Sequence, residues 1–152
     1  MKKYLFLFVL ILLVSVSAAS LANSNQESGR KETTIRITSG DKVILATLND
    51  TQTAQDFIAT LPRTLPMKRL FDREYYAVLP TALSKEGKRQ ETYELGDIAF
   101  WTSGDYFGLL FSYERPKLSA PIIVMGKVTT DLAVFDTFGE AANMLFEVEN
   151  KK

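Results

Sequence analysis

The chain of 152 residues contains no histidine and no cysteine, and that double absence removes most nucleophile chemistry at once. Without imidazole or thiol there is no Ser-His-Asp or Cys-His system, no thiol redox couple and no zinc site built on those ligands. Carboxylates and hydroxyls remain. Asp97 and Asp105 lie within "GDIAFWTSGDYFGLLFS" (residues 96–112) and have the residue type for paired acid–base work. Their setting points elsewhere: Gly96-Asp97 opens an apolar strand, and "TSGD" has turn composition, with Asp105 bonding its own backbone. Ser84-Lys85 has the types of a Ser–Lys dyad, but adjacent side chains diverge on an extended chain, and the stretch reads as a solvated loop. Glu147 and Glu149 fall on an outward strand face, and "KEGKR" and "MKR" are basic clusters flanked by acids, hence solvated surface. No phosphate-binding glycine loop, dinucleotide fingerprint or EF-hand loop occurs. The sequence therefore implies no catalytic residue, metal or cofactor.

The remaining chemistry is aromatic. Trp101, the single tryptophan, shares one strand face with Ala99, while Ile98 and Phe100 share the other. Beyond the turn, Phe107, Leu109 and Phe111 alternate with Tyr106, Gly108 and Leu110. Both faces are apolar, as expected where one lines a barrel interior and the other meets a helix. Core packing accounts for such a pattern. The alternative is a pocket at a barrel mouth, where Trp and Tyr bury a ring and keep a polar tip for a ligand.

The elements that must position these residues follow from periodicity. "TTIRIT" alternates, with Ile35 and Ile37 on one face and Arg36 on the other, and "SGDK" turns it into "VILATL", which makes a hairpin. In "NDTQTAQDFIATLP", Ala54, Phe57, Ile58 and Leu61 form one helical stripe. Thr53 and Asp56 resemble a capping box, and Pro62 ends the helix. "RTLPMKRLF" reads as an edge strand because Pro66 lacks a ladder donor. "YYAVLP" is a short extended piece, "TALSKEGKRQETYEL" a long polar loop, and "IIVMGKVT" a buried strand. "TDLAVFDTFG" reads as a second short helix with Thr130 as N-cap and Gly139 as terminator. In "NMLFEVE", Met144, Phe146 and Val148 face in. Many short strands with two short helices specify a mainly β domain, a closed or nearly closed barrel with helical plugs.

The N-terminus has a different character. Met1-Lys2-Lys3 is a positive start, Tyr4 to Val16 is apolar apart from Ser15, and "SVSAASLANS" supplies small residues before a cut. This pattern is a secretory signal peptide over residues 1–22, cleaved after Ser20-Leu21-Ala22, with Ala18 or Ala19 as alternative sites. No cysteine follows, so a lipoprotein anchor is excluded. The apolar run is shorter than the ~20 residues of a bilayer span, so no stable membrane span is expected after cleavage. Residues 23–31 form a polar, flexible leader, and residues 32–150 a single domain. Loss of Lys2 and Lys3 leaves 16 basic against 18 acidic residues. A field so weak does not suit nucleic acid. An exported chain without cysteine must be stable by packing alone.

The succession of "LNDTQTAQDFIATLP", "YYAVLP" with "ALSKEG", "ELGDIAFW" and "PIIVMGKV" resembles the small bacterial and archaeal cyclophilin-like proteins over roughly residues 33–149. The resemblance implies an eight-stranded barrel closed by two helices, with no established activity. The resemblance implies that prolyl isomerases of the wider group carry a catalytic arginine next to a Phe-His-Arg stretch after the first helix, beside a hydrophobic proline pocket. The corresponding segment here is "LPRTLPMKRLF", where Arg63 and Arg69 stand without a histidine, so the isomerase motif does not carry over.

Two functions from different classes follow. The first is a non-enzymatic module, periplasmic or extracellular, that binds a small molecule or peptide in a groove between the strand at 63–71 and the Trp101 hairpin. Arg63, Met67, Arg69, Trp101, Tyr106 and Phe111 are its candidate residues, with Arg69 as polar anchor. The second is a weak or vestigial prolyl isomerase. A purely structural accessory domain is the third reading.

Overall fold

The computed structural model describes residues 31–150 apart from residue 115. The expected signal peptide at 1–22 and most of the leader at 23–31 lie outside the described residues. The elements run β1 (Thr33–Ser39), β2 (Lys42–Leu48), α1 (Gln52–Ile58), β3 (Arg63–Leu70), β4 (Glu74–Val78), β5 (Asp97–Trp101), β6 (Tyr106–Leu110) and β7 (Ile122–Val128). A 3₁₀ helix (Leu132–Thr137) and β8 (Ala141–Val148) complete them. The strands close into an antiparallel barrel in the order β1-β2-β7-β5-β6-β4-β3-β8. Eight strands leave an interior that side chains alone can fill.

Inward residues alternate as the sequence demands. Ile35 and Ile37 of β1, Ile44 and Ala46 of β2, Phe107 and Leu109 of β6, and Met144 and Phe146 of β8 are all buried in one cluster. Because β2 and β7 are antiparallel neighbours, α1 after β2 and the 3₁₀ helix after β7 plug opposite ends of the barrel. At the first end Phe57 of α1 stacks on Phe107 at 4.6 Å and meets Phe146 edge-on. At the other, Phe135 of the 3₁₀ helix stacks on Phe111 at 5.2 Å and on Tyr75 at 6.0 Å. Such ring pairs contribute about 0.5–1.5 kcal/mol each beyond their buried area.

Several expectations need correction. The strand at 63–70 is not a sheet edge: β8 pairs with Arg63 to Lys68 and β4 with Lys68 to Leu70. Pro66 is accommodated because it has a ladder partner on one side only, Asn143 of β8. The helix cap is Thr51, whose hydroxyl accepts from the Ala54 N–H at 3.2 Å. Thr53 and Asp56 instead grip the loop at Ser84, donating to its carbonyl and accepting from its N–H, both at 2.8 Å. That loop is held down by buried Leu83. α1 ends at Ile58, ahead of Pro62. Asp131, not Thr130, caps the 3₁₀ helix, while the Thr130 hydroxyl accepts from Leu45 N–H. Val148 is 38% exposed, because β8 leaves the core at its last residue.

Candidate functional site

The outer face of β4, β6 and β5 is where side chains with binding chemistry converge. On β4, Tyr75 and Ala77 point into the core, which turns Glu74, Tyr76 and Val78 outward. On β6 the same alternation sends out Tyr106, Gly108 and Leu110, and on β5 it sends out Asp97, Ala99 and Trp101. Register then aligns them: Trp101 is opposite Tyr106, Tyr106 opposite Val78, and Gly108 opposite Tyr76.

Trp101 does not pack inside the barrel. Its ring lies over Gly108, where a Cβ would stand only 2.8 Å from Cζ3, so the missing side chain is what seats the indole. The indole joins a second apolar cluster with Tyr93, Ala99, Leu110, Leu118 and Ile122. The expectation that this outer face meets a helix is therefore corrected. It is covered by Tyr93 and the segment through Leu118, because both helices are used at the barrel ends. The Tyr93 hydroxyl donates to the Ser112 carbonyl at 2.7 Å, which fastens one loop to the other.

The cover is incomplete. Beside Trp101 a pocket of about 240 Å³ remains, walled by Phe71, Tyr76, Trp101 and Tyr106, with Ser103, Ser119 and Ala120 at its border. Tyr76 and Tyr106 meet edge-to-face at 5.8 Å. Tyr106 is 40% exposed and Phe71 46%, so two of the four rings present surface to solvent. The charged part of the lining is Arg73 and Glu74, only 6% and 3% exposed, with Arg73 Nη2 and Nε at 3.1 and 3.2 Å from Glu74 Oε2. Burial pushes the Glu74 carboxyl above its ordinary value, and the adjacent guanidinium opposes that shift. The two charges neutralise each other, so the pocket offers aromatic walls without a net field.

The six residues anticipated from sequence separate into different surroundings. Trp101 and Tyr106 line the pocket. From the strand at 63–71, the end of the segment reaches it, through Leu70 and Phe71. Met67 is wholly buried in the core. Arg69 and Phe111 line another depression, of about 480 Å³, with Asp72, Leu132 and Asp136. Arg63 lines neither. β4 lies between β3 and the Trp101 hairpin, so the single groove expected between them is not formed.

Arg69 is a strut between elements. Its Nε donates to Asp72 at 2.7 Å and its Nη1 to the Phe135 carbonyl at 3.2 Å, while Cζ sits 4.9 Å from the Phe111 ring centroid. These contacts tie β3 to the 3₁₀ helix. Asp97 and Asp105 stand at opposite ends of the β5–β6 hairpin and do not pair. Asp97 accepts the Glu94 N–H at 2.8 Å, and Asp105 lies 3.0 Å from the Lys85 ammonium. Among the described residues, no group of three or more acidic side chains is placed to hold a metal ion.

Sequence reasoning passes over Phe71, Arg73, Glu74 and Tyr76. A signal existed for two of them: alternation from Tyr75 and Ala77 places Glu74 and Tyr76 on the face that carries Trp101. The burial of the Arg73–Glu74 pair is a tertiary property with no local signature.

Comparison with known proteins agrees with this architecture. The solution structure of a hypothetical protein from Archaeoglobus fulgidus matches with a TM-score of 0.63 and 21% identity, covering 78% of this chain and 95% of that one. It shares the fold. No curated protein matches the chain. The model of the cyclophilin-like family matches residues 37–149, from β1 through β8, and the protein belongs to that family.

Proposed function

We propose that the protein is an exported, non-enzymatic binding module whose site is the Trp101 pocket. The observation that carries this reading is the set of four rings, Phe71, Tyr76, Trp101 and Tyr106, around a concave surface on the outside of a barrel whose interior is filled. Aromatic walls with a few polar groups suit a compact apolar ligand, free or as one side chain of a peptide. The neutralised Arg73–Glu74 pair favours an uncharged one. Arg63 and Arg69 stand outside the pocket lining, so the reading includes no isomerase step.

A thermal-shift screen with uncharged aromatic fragments and N-acetyl amino-acid amides tests this. A true ligand at a hundred times its Kd stabilises by about 2.7 kcal/mol, and Trp101→Ala should abolish the gain. The absence of saturable stabilisation across the library would refute the reading.

Export is supported by Lys2-Lys3, the apolar run after them and the small residues up to Ala22. The chain recovered outside the cytoplasm should begin at Asn23 by N-terminal sequencing. Recovery of the intact chain inside cells would contradict it.

A further inference from the structure

The β3–β4 turn is made of residues poorly suited to its own backbone. Leu70 pairs with Glu74 across a three-residue loop, inside which Arg73 N–H donates to the Leu70 carbonyl at 3.0 Å and closes a β-turn whose central residues, Phe71 and Asp72, have φ of 55° and 51°. Positive φ at both central positions is the type I′ signature, for which Asn-Gly and Asp-Gly are the favoured pairs. A bulky ring in this region is an outlier, because its Cβ crowds the following carbonyl. Burial does little to offset that cost, since Phe71 is 46% exposed. Strain of this kind persists where it supplies a geometry that relaxed residues would not.

The geometry obtained is specific. The Phe71 ring stands at the border of the Trp101 pocket, with the Arg73 guanidinium 5.7 Å from its centroid and that guanidinium paired to Glu74. Asp72 serves the opposite side of the turn, its carboxylate held by Arg69 Nε at 2.7 Å. The second strained residue thus anchors the loop, and the first presents a ring.

We infer that Phe71 is a ligand-contacting, specificity-determining residue, held left-handed so that its ring forms the outer wall of the pocket. The ligand class is a flat, uncharged ring system, because the walls are aromatic and the lining charges cancel. This inference rests on the Trp101 pocket being a ligand site, and it adds that stability is given up at Phe71 to shape it.

The test compares wild type, Phe71→Gly, Phe71→Tyr and Trp101→Ala. Binding of indole and 2-naphthalenemethanol is followed by ligand-observed NMR titration, and Tm by calorimetry. Glycine accepts positive φ freely, so Phe71→Gly should melt roughly 3–5 °C higher while binding at least tenfold more weakly. Phe71→Tyr should bind as wild type does. Unchanged affinity in Phe71→Gly, with binding lost in Trp101→Ala, would overturn the inference and leave the pocket reading intact. A lower Tm in Phe71→Gly would show that the turn carries no such cost and would also overturn it. Failure of wild type to bind either probe would sink both readings together.

Discussion

At the scale of single residues, the two aspartates that first suggested catalysis have structural duties. Asp97 is buried and its carboxylate accepts the Glu94 N–H, with the Lys127 ammonium 3.6 Å away. Desolvation raises the Asp97 carboxyl above its ordinary 3.8, with the Glu94 N–H and Lys127 opposing. The folded protein therefore holds a penalised charge at neutral pH. As pH falls toward 3.8 the folded state takes up the proton before the unfolded chain does, and that penalty is relieved. Asp97→Asn keeps an acceptor for Glu94 and carries no charge. It should stay within about 1 kcal/mol of wild type at pH 7, and any advantage should fade near pH 4. Asp97→Ala leaves the buried N–H without its acceptor and should cost about 1–3 kcal/mol. Urea unfolding at the two pH values measures both. An Asn variant as damaged as the Ala variant would show that charge, rather than hydrogen bonding, makes Asp97 necessary.

At the scale of elements, barrel closure depends on a few close approaches. β2 and β7 are paired only from Ala46 to Leu48 against Val128 to Gly126. There a Cβ on Gly126 would lie 2.1 Å from the Thr47 carbonyl oxygen and 2.8 Å from the Leu48 Cα. Both obstacles are backbone, so a side chain at 126 cannot be absorbed by a rotamer change. Gly126→Ala should destabilise by about 3 kcal/mol or more, read as a lower denaturation midpoint. A loss below 1 kcal/mol would mean that β2 and β7 separate freely. The same non-local closure explains what the sequence did and did not reveal. The β1–β2 hairpin was legible because Ile35, Ile37, Ile44 and Ala46 alternate within one short stretch. In sequence β3 has the signature of an edge because its partner β8 lies some 80 residues on, and nothing in "RTLPMKRLF" announces it. The capping-box pattern at Thr53 and Asp56 misled because Ser84, a distant residue, claims both side chains.

At the scale of the whole molecule, the packed barrel interior is separate from the proposed binding face. Its interior is filled by rings from α1, the 3₁₀ helix and the strands, so any ligand must be met on the outside. The sheet face of β4, β6 and β5 is the part that loops cover only in part. Trp101 and Tyr106 could be nominated from sequence because aromatic side chains on both faces of a hairpin require an explanation. Alternation along β4 sets Glu74 and Tyr76 on one face, but Phe71 and Arg73 lie in the turn before β4 and reach Trp101 only because β4 pairs with β6 about thirty residues later. Arg69, nominated as an anchor for ligand, is instead occupied in holding β3 to the 3₁₀ helix. The most direct check of the binding site is amide and side-chain NMR of the domain titrated with indole. The account predicts saturable shifts confined to Phe71, Tyr76, Trp101, Ser103, Tyr106 and Ala120, with β1, β2 and β8 silent. Shifts centred on those three strands, or none at saturating indole, would contradict it.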